Sequence, residues 1–160
     1  MPVAPRKAPR PKPDALPDLA CACAASRRAA RALTQFYDRC LHDAGIEASQ
    51  FALLSLLEKM PGSNQAMQGR WMAMDKTTLS RNFKLLKLRG WIEPSPGKDE
   101  RERGFRLTRA GRERLDAAKP LWKSAQEQLL SFLGPRDWDA SFRAMRSLTQ
   151  AAHAARQAGA

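Results

Sequence analysis

Little in this chain points to catalysis, metal binding or a membrane. Its 160 residues include only two histidines, His42 and His153, and three cysteines, Cys21, Cys23 and Cys40. With no clustered Cys/His spacing, a zinc site has no support, and no other cofactor is expected. A Gly-rich nucleotide loop and a GxSxG elbow are both missing, and neither histidine has a nucleophile partner in the sequence, so no catalytic residue is assigned and an enzyme is not expected. No stretch approaches the roughly 18 consecutive apolar residues of a membrane span, and the first residues lack the hydrophobic segment of a signal peptide. A cytoplasmic protein with no membrane partner is the expectation. An odd number of cysteines in such a setting reads as reduced thiols rather than a disulfide framework. Acidic residues are also scarce relative to basic ones: 16 Asp and Glu stand against 28 Lys and Arg, a net charge of +12. The natural partner of such a chain is a polyanion.

The positive charge is unevenly placed. Residues 1–17 hold six of the eleven prolines, with Arg6, Lys7, Arg10 and Lys12 against Asp14 alone. Such a segment has too little apolar surface to offset its ordering entropy and reads as a disordered basic arm. Between Arg70 and Arg114 there are 13 Lys and Arg against 6 Asp and Glu, more than half of the excess charge. A function that uses charge should use this block.

From Leu19 to about Leu41 there is no Gly or Pro, and Leu33, Phe36, Tyr37, Cys40 and Leu41 recur at helical spacing. This predicts a long first helix ending near Gly45, with Cys40 on its buried face. Glu47 and Gln50 open a second helix with an apolar face of Phe51, Leu54, Leu56 and Leu57, stopped by Pro61-Gly62. Ser63 is placed to cap a short third helix through Met72. Asp75 caps a fourth, in which Leu79, Phe83 and Leu86 fall at i, i+4 and i+7, and Arg89-Gly90 ends it. A short helix, a tight link and a capped basic helix make a helix-turn-helix. Trp91-Ile92-Glu93 and Gly104-Phe105-Arg106-Leu107 then predict a two-stranded hairpin around a loop containing Pro94, Pro96 and Gly97 and the charged run 98–103. Thr108 caps a fifth helix whose seam runs Leu115, Ala118, Trp122, Ala125, Leu129. After Gly134-Pro135, a sixth helix carries Trp138, Phe142, Met145 and Leu148 on one face. Seams of this period need cover, and a second copy of the chain is the economical answer.

This pattern resembles the MarR family of bacterial winged-helix transcription regulators over roughly residues 19–155. The run Met74-Asp75-Lys76-Thr77-Thr78-Leu79-Ser80-Arg81-Asn82-Phe83, followed by Leu86 and Arg89-Gly90-Trp91-Ile92, is similar to that family's recognition helix entering its first wing strand. Asp99-x-Arg101 followed by Leu107-Thr108-x-x-Gly111 is similar to its wing signature. In the third helix Gln68 stands where the family commonly has Leu, and Gly69 where it has Ala. The resemblance implies a mainly α fold with a small β-hairpin wing, organised as an arm (1–17), a dimerisation helix (18–45), a winged helix-turn-helix region (46–110) and dimerisation helices (111–160). It also implies a homodimer on a pseudo-palindromic double-stranded DNA operator, acting as a repressor released by a small, aromatic-acid-type effector.

With Leu79, Phe83 and Leu86 facing inward, Lys76, Thr77, Thr78, Ser80, Arg81 and Lys84 are left for DNA, and Arg81 is the first choice for a base edge. In the wing, Arg101 resembles the family's minor-groove arginine, Arg103 is a second candidate, and Asp99 would support the loop. Arg28, Arg31, His42 and Trp71 are candidates to line the effector site, since a carboxylate needs cations and a ring needs an aromatic wall. Cys21 and Cys23, near a helix start, keep open a thiol-based organic-peroxide sensor. Cys23 stands 14 residues before Tyr37, as in the family's peroxide sensors, but Arg27 replaces their second tyrosine. A non-specific basic nucleic-acid-binding structural protein is the reading from another class.

Overall fold

The computed structural model describes residues 20–96 and 103–159, so the arm at residues 1–17 lies outside it. The described residues divide into two compact bodies, 20–123 and 124–159. The first opens with α1 (Ala22–Leu41), whose Ala-rich sequence runs into a 3-10 turn over His42–Ala44 and ends at left-handed Gly45 (φ 59°). α2 (Ala48–Lys59) begins with a capping box in which Glu47 and Gln50 each accept the other's backbone N–H. The Ala48 N–H also donates to Asp38 Oδ1 at 2.7 Å, tying α2 to α1.

α3 (Gln65–Met72) is capped by Asn64, whose Oδ1 accepts the Met67 N–H at 2.8 Å, and not by Ser63 as expected. Ser63 is buried and accepts a hydrogen bond from Gln68 Nε2 at 2.7 Å. The two departures in this helix thus have local reasons. Gln68 is fully buried but has a partner in Ser63, and at Gly69 a Cβ would stand 2.9 Å from Leu79 Cδ2, so glycine lets the next helix approach. The turn between the helices passes through Ala73 at φ 49°.

α4 (Lys76–Leu88) buries Leu79, Phe83 and Leu86 and is followed by Gly90 at φ 67°. β1 (Ile92–Pro96) and β2 (Arg103–Leu107) pair antiparallel, with Pro94 opposite Phe105 and Pro96 opposite Arg103. Prolines assigned to the loop therefore lie within a strand. The reason is on the other side of β2. Phe105 directs its N–H to the Ser63 carbonyl (3.2 Å) and its carbonyl to the Gly62 N–H (3.0 Å), so it asks nothing of Pro94. By the two-residue alternation of a strand, neither proline sits where β2 needs a donor. Gly104 permits this close approach, since a Cβ there would lie 2.2 Å from the Gly62 carbonyl oxygen.

Thr108 begins α5 (Arg109–Leu133). Its hydroxyl donates to the Gly90 carbonyl at 2.6 Å and accepts from the Gly111 N–H at 3.0 Å, while a Cβ on Gly111 would lie 1.9 Å from the Trp91 carbonyl oxygen. The Leu-Thr-x-x-Gly motif is thus the seat on which α5 rests against the start of the wing.

The core of the first body joins Leu41, Leu53, Leu54 and Leu57 with Leu79, Phe83 and Leu86, the wing residues Ile92, Phe105 and Leu107, and Leu115 and Ala118 of α5. Three expectations need correction. Leu53 is fully buried in α2 alongside Leu54 and Leu57, whereas Leu56 is only half-buried; Cys40 is only half-buried; and the seam of α5 does not all await a partner, because Leu115 and Ala118 are wholly buried in the chain's own core. A heptad-like seam records that a face is covered without recording by what. In the second body, α6 (Pro135–Ala158) buries none of its residues, and Phe142, Met145 and Leu148 are 42–48% exposed. Among the described residues no helix is long and apolar enough to cross a membrane.

Removing a side chain that belongs to the core should destabilise the body it fills. Leu115→Ala should cost about 2–5 kcal/mol of unfolding free energy, measured by urea denaturation. A loss below about 1 kcal/mol would place that residue on a surface instead.

Candidate nucleic-acid interface

The chemistry of this surface starts with the phase of α4. Its three buried anchors leave Lys76, Thr77, Thr78, Ser80, Arg81 and Lys84 exposed. Thr77, Arg81 and Lys84 lie at i, i+4 and i+7, with Lys76 and Ser80 beside them. From Lys76 to Lys84 the stripe is about 12 Å long at 1.5 Å per residue, which matches the roughly 12 Å width of a DNA major groove. Among the described residues, no ion pair or hydrogen bond is formed by the side chains of Lys76, Arg81 or Lys84.

Two side chains at this end are already engaged. Asp75 accepts the Thr78 N–H at 2.9 Å on one carboxylate oxygen and the Thr78 hydroxyl at 2.7 Å on the other. Thr78 is therefore part of the helix cap, with only hydroxyl lone pairs left to offer a ligand. Asn82, not singled out from the sequence, donates to the Thr78 carbonyl at 3.0 Å and accepts from the Ser49 hydroxyl at 3.3 Å, bracing α4 against α2.

The basic block also contains cations used inside the fold. Lys87 Nζ lies 4.5 Å from the Phe105 ring centroid, Arg106 pairs with Glu93 at 2.7 Å, and Arg109 pairs with Glu113 at 2.8 Å. Arg89 and Arg114 both stack on Trp91. Asp99 and Arg101 lie outside the described residues, and Arg103 is located only as the first residue of β2.

The effector candidates are separated. Arg28 and Arg31 line one open groove along α1 together with Ala24, Arg27, Ala32 and Gln35; Arg27 was not anticipated, although its i, i+4 relation to Arg31 was readable. His42 stands in the turn beyond α1, about 15 Å or more along the axis from Arg31, and its exposed ring is 3.5 Å from Asp43. Trp71 is 45% exposed on α3. Neither lines that groove. Cys21 is the residue preceding α1 and Cys23 lies in its first turn, both exposed. Within one helix the 14 residues from Cys23 to Tyr37 span about 21 Å, so these two cannot meet inside one chain. No group of His, Cys, Asp and Glu among the described residues is arranged to hold a metal.

The Asp75 cap makes a pH prediction. The hydroxyl and then the backbone N–H of Thr78 hold its carboxyl below the usual carboxylate range. A depressed value means that its stabilising contribution is complete above the ordinary carboxylate pKa and is lost as pH falls through the folded-state value. Asp75→Asn keeps a capping oxygen but cannot titrate. The wild type should melt above this variant near neutrality, and the gap should close only in acid; a gap independent of pH would contradict the assignment.

No family model matches the chain, and no curated protein does either. Solved structures do. The transcriptional regulator MosR of M. tuberculosis, in complex with DNA, is 35% identical, covers 85% of this chain and 98% of its own, and superposes with a TM-score of 0.75. The PcaV transcriptional regulator from Streptomyces coelicolor, in complex with its natural ligand, is 23% identical, with 86% and 99% coverage and a TM-score of 0.72. A MarR family transcription regulator at 22% identity, with 81% and 86% coverage, has a TM-score of 0.65 and shares the fold. The extent and identity of the first match, with a hairpin wing beside a capped basic helix, settle the matter: the chain belongs to the MarR family of DNA-binding transcriptional regulators.

Proposed function

We propose that the protein is a homodimeric repressor that reads a pseudo-palindromic operator with α4 and is released by a small aromatic acid. The observation that carries the DNA reading is the exposed stripe of Thr77, Arg81 and Lys84, opposite three buried anchors and matched in length to a major groove. Arg81 bonds a guanine edge. Thr77, Ser80, Lys76 and Lys84 divide base and phosphate contacts, Thr78 keeps mainly its capping role, and Arg101 and Arg103 carry the wing to the minor groove with Asp99 supporting the loop.

The uncovered apolar face of α6 supports a dimer, since a second copy would remove Phe142, Met145 and Leu148 from water. Two recognition helices must then match half-sites about one helical turn apart, and an effector that alters their separation weakens DNA binding by the factor by which DNA weakens effector binding. That PcaV was solved with its natural ligand supports a ligand-responsive regulator. The groove that Arg28 and Arg31 line together with Arg27 favours a carboxylate there; His42 and Trp71 would reach such a ligand only from elsewhere in the assembly. All of this takes place in the cytoplasm.

One observation favours a second reading, thiol sensing: Cys21 and Cys23 are both exposed. A thiolate there would attack a hydroperoxide, releasing the alcohol and leaving a sulfenate, and the second thiol would then expel water to form a disulfide.

The test begins with the duplex that the protein selects from a randomised pool. Light scattering should give twice 17.8 kDa. Affinity should fall steeply with salt, and Arg81→Ala should cost about 1–3 kcal/mol of discrimination between the selected duplex and random DNA. A salt-insensitive affinity, or an Arg81→Ala effect equal on every sequence, would overturn the DNA assignment.

Hydroxybenzoates should release DNA reversibly from both wild type and a Cys21→Ser, Cys23→Ser variant. Release by an organic hydroperoxide from wild type alone, with hydroxybenzoates inert, would favour the thiol reading instead.

A further inference from the structure

Trp91 follows the C-terminal cap of α4 and is buried, only 7% exposed. Two guanidinium groups stack on it: Arg89, the C-cap residue of α4, at 4.8 Å from the ring centroid, and Arg114 of α5 at 5.4 Å. Both distances fall within cation–π range. The same two groups reach the corner where α1 ends. Arg89 Nη1 donates to Gln50 Oε1 at 3.1 Å and, at a longer 3.5 Å, to the Gly45 carbonyl; Arg114 Nη1 donates to the Ala44 carbonyl. Carbonyls at a helix end have no partner along the helix and are free to accept. Gln50 is itself the capping-box residue of α2, its Oε1 also accepting the Glu47 N–H at 3.3 Å. Through these two guanidiniums, five segments are joined at Trp91: the end of α1, the start of α2, the end of α4, the entry to β1 and the second turn of α5.

These arginines belong by sequence to the basic block, and charge alone would assign them to DNA. Their placement says otherwise. Arg89 lies about 20 Å along α4 from Lys76, at the end opposite the groove-sized stripe, where its charge balances the negative end of the helix dipole. Among the described residues neither arginine is in an ion pair; carbonyl and amide oxygens and a ring face hold them.

We propose that Arg89 and Arg114 are positioning residues: by gripping Trp91 they lock the C-terminal end of α4 to the corner between α1 and α2, and so set the angle at which α4 meets DNA. The inference rests on α4 being the helix that enters the major groove.

Fluorescence anisotropy over a salt series, on the selected duplex and on a random duplex of equal length, separates positioning from contact. Arg89→Met and Arg114→Met should each weaken binding to the selected duplex about tenfold or more, comparable to a wrong base pair. Neither should change the slope of log affinity against log salt. Lys84→Ala, on the groove face, should reduce that slope by about 0.9, the signature of one lost phosphate contact. Arg89→Lys keeps the charge but not the forked donor and should not rescue. The double methionine variant should be little worse than either single one, because both residues act through Trp91.

Circular dichroism and scattering mass report whether each variant folds; if Arg89→Met does not, Arg89→Lys and Trp91→Phe carry the same test, with affinity falling at constant slope. A slope reduced by about 0.9 in Arg89→Met, with affinity restored by Arg89→Lys, would make Arg89 a phosphate contact and overturn the proposal, as would wild-type affinity in both methionine variants. If Arg81→Ala and Lys84→Ala change neither affinity nor slope, the assignment of α4 itself fails, and the proposal with it.

Discussion

Three side chains on one stripe of α4, Leu79, Phe83 and Leu86, determine which of its other residues can meet a partner. Each step along an α-helix turns the side-chain direction by about 100°, so a shift of one residue in the anchored row would turn Arg81 out of the exposed stripe it shares with Thr77 and Lys84. The row is held from several sides. Gly69 lets α3 close onto Leu79, and the Phe83 ring meets Phe105 of the wing edge-on at 5.0 Å between centroids. α4 and the wing therefore share a core contact, and neither can rotate without disturbing the other.

Much of this was readable because it is local. The Asp75 cap, the i, i+4, i+7 row, the Gly90 stop and the Thr108 cap each involve residues within a few positions of one another, and α4 and its exposed face follow from them. What escaped the sequence depends on neighbours far along the chain. Ser63 and Asn64 are equally good caps, and the choice falls to Asn64 because Ser63 is paired with buried Gln68. Leu115 and Ala118 read as part of a seam for another chain because periodicity does not name the covering surface. The Trp91 clamp joins residues 39 and 70 positions apart, through contacts that leave no periodic trace.

The fold also sorts a charge excess that composition treats as uniform. Lys87, Arg89, Arg106, Arg109 and Arg114 are engaged with rings, carbonyls or carboxylates of the chain itself. Lys76, Arg81 and Lys84 are presented outward on one face. A basic block is thus partly structural mortar and partly exposed surface, and net charge overstates the number of cations that can displace counterions from a polyanion.

The prolines of β1 have a consequence beyond the wing they help to build. With β2 on one side, β1 turns its other side outward, and a bare strand edge is a template on which a further strand, from this chain or another, can assemble. Of the three β1 positions whose amides face that way, 92, 94 and 96, Pro94 and Pro96 remove the donors at the two towards the tip. A thin two-stranded ribbon can then project from the body without inviting edge-to-edge association between molecules crowded along one DNA duplex.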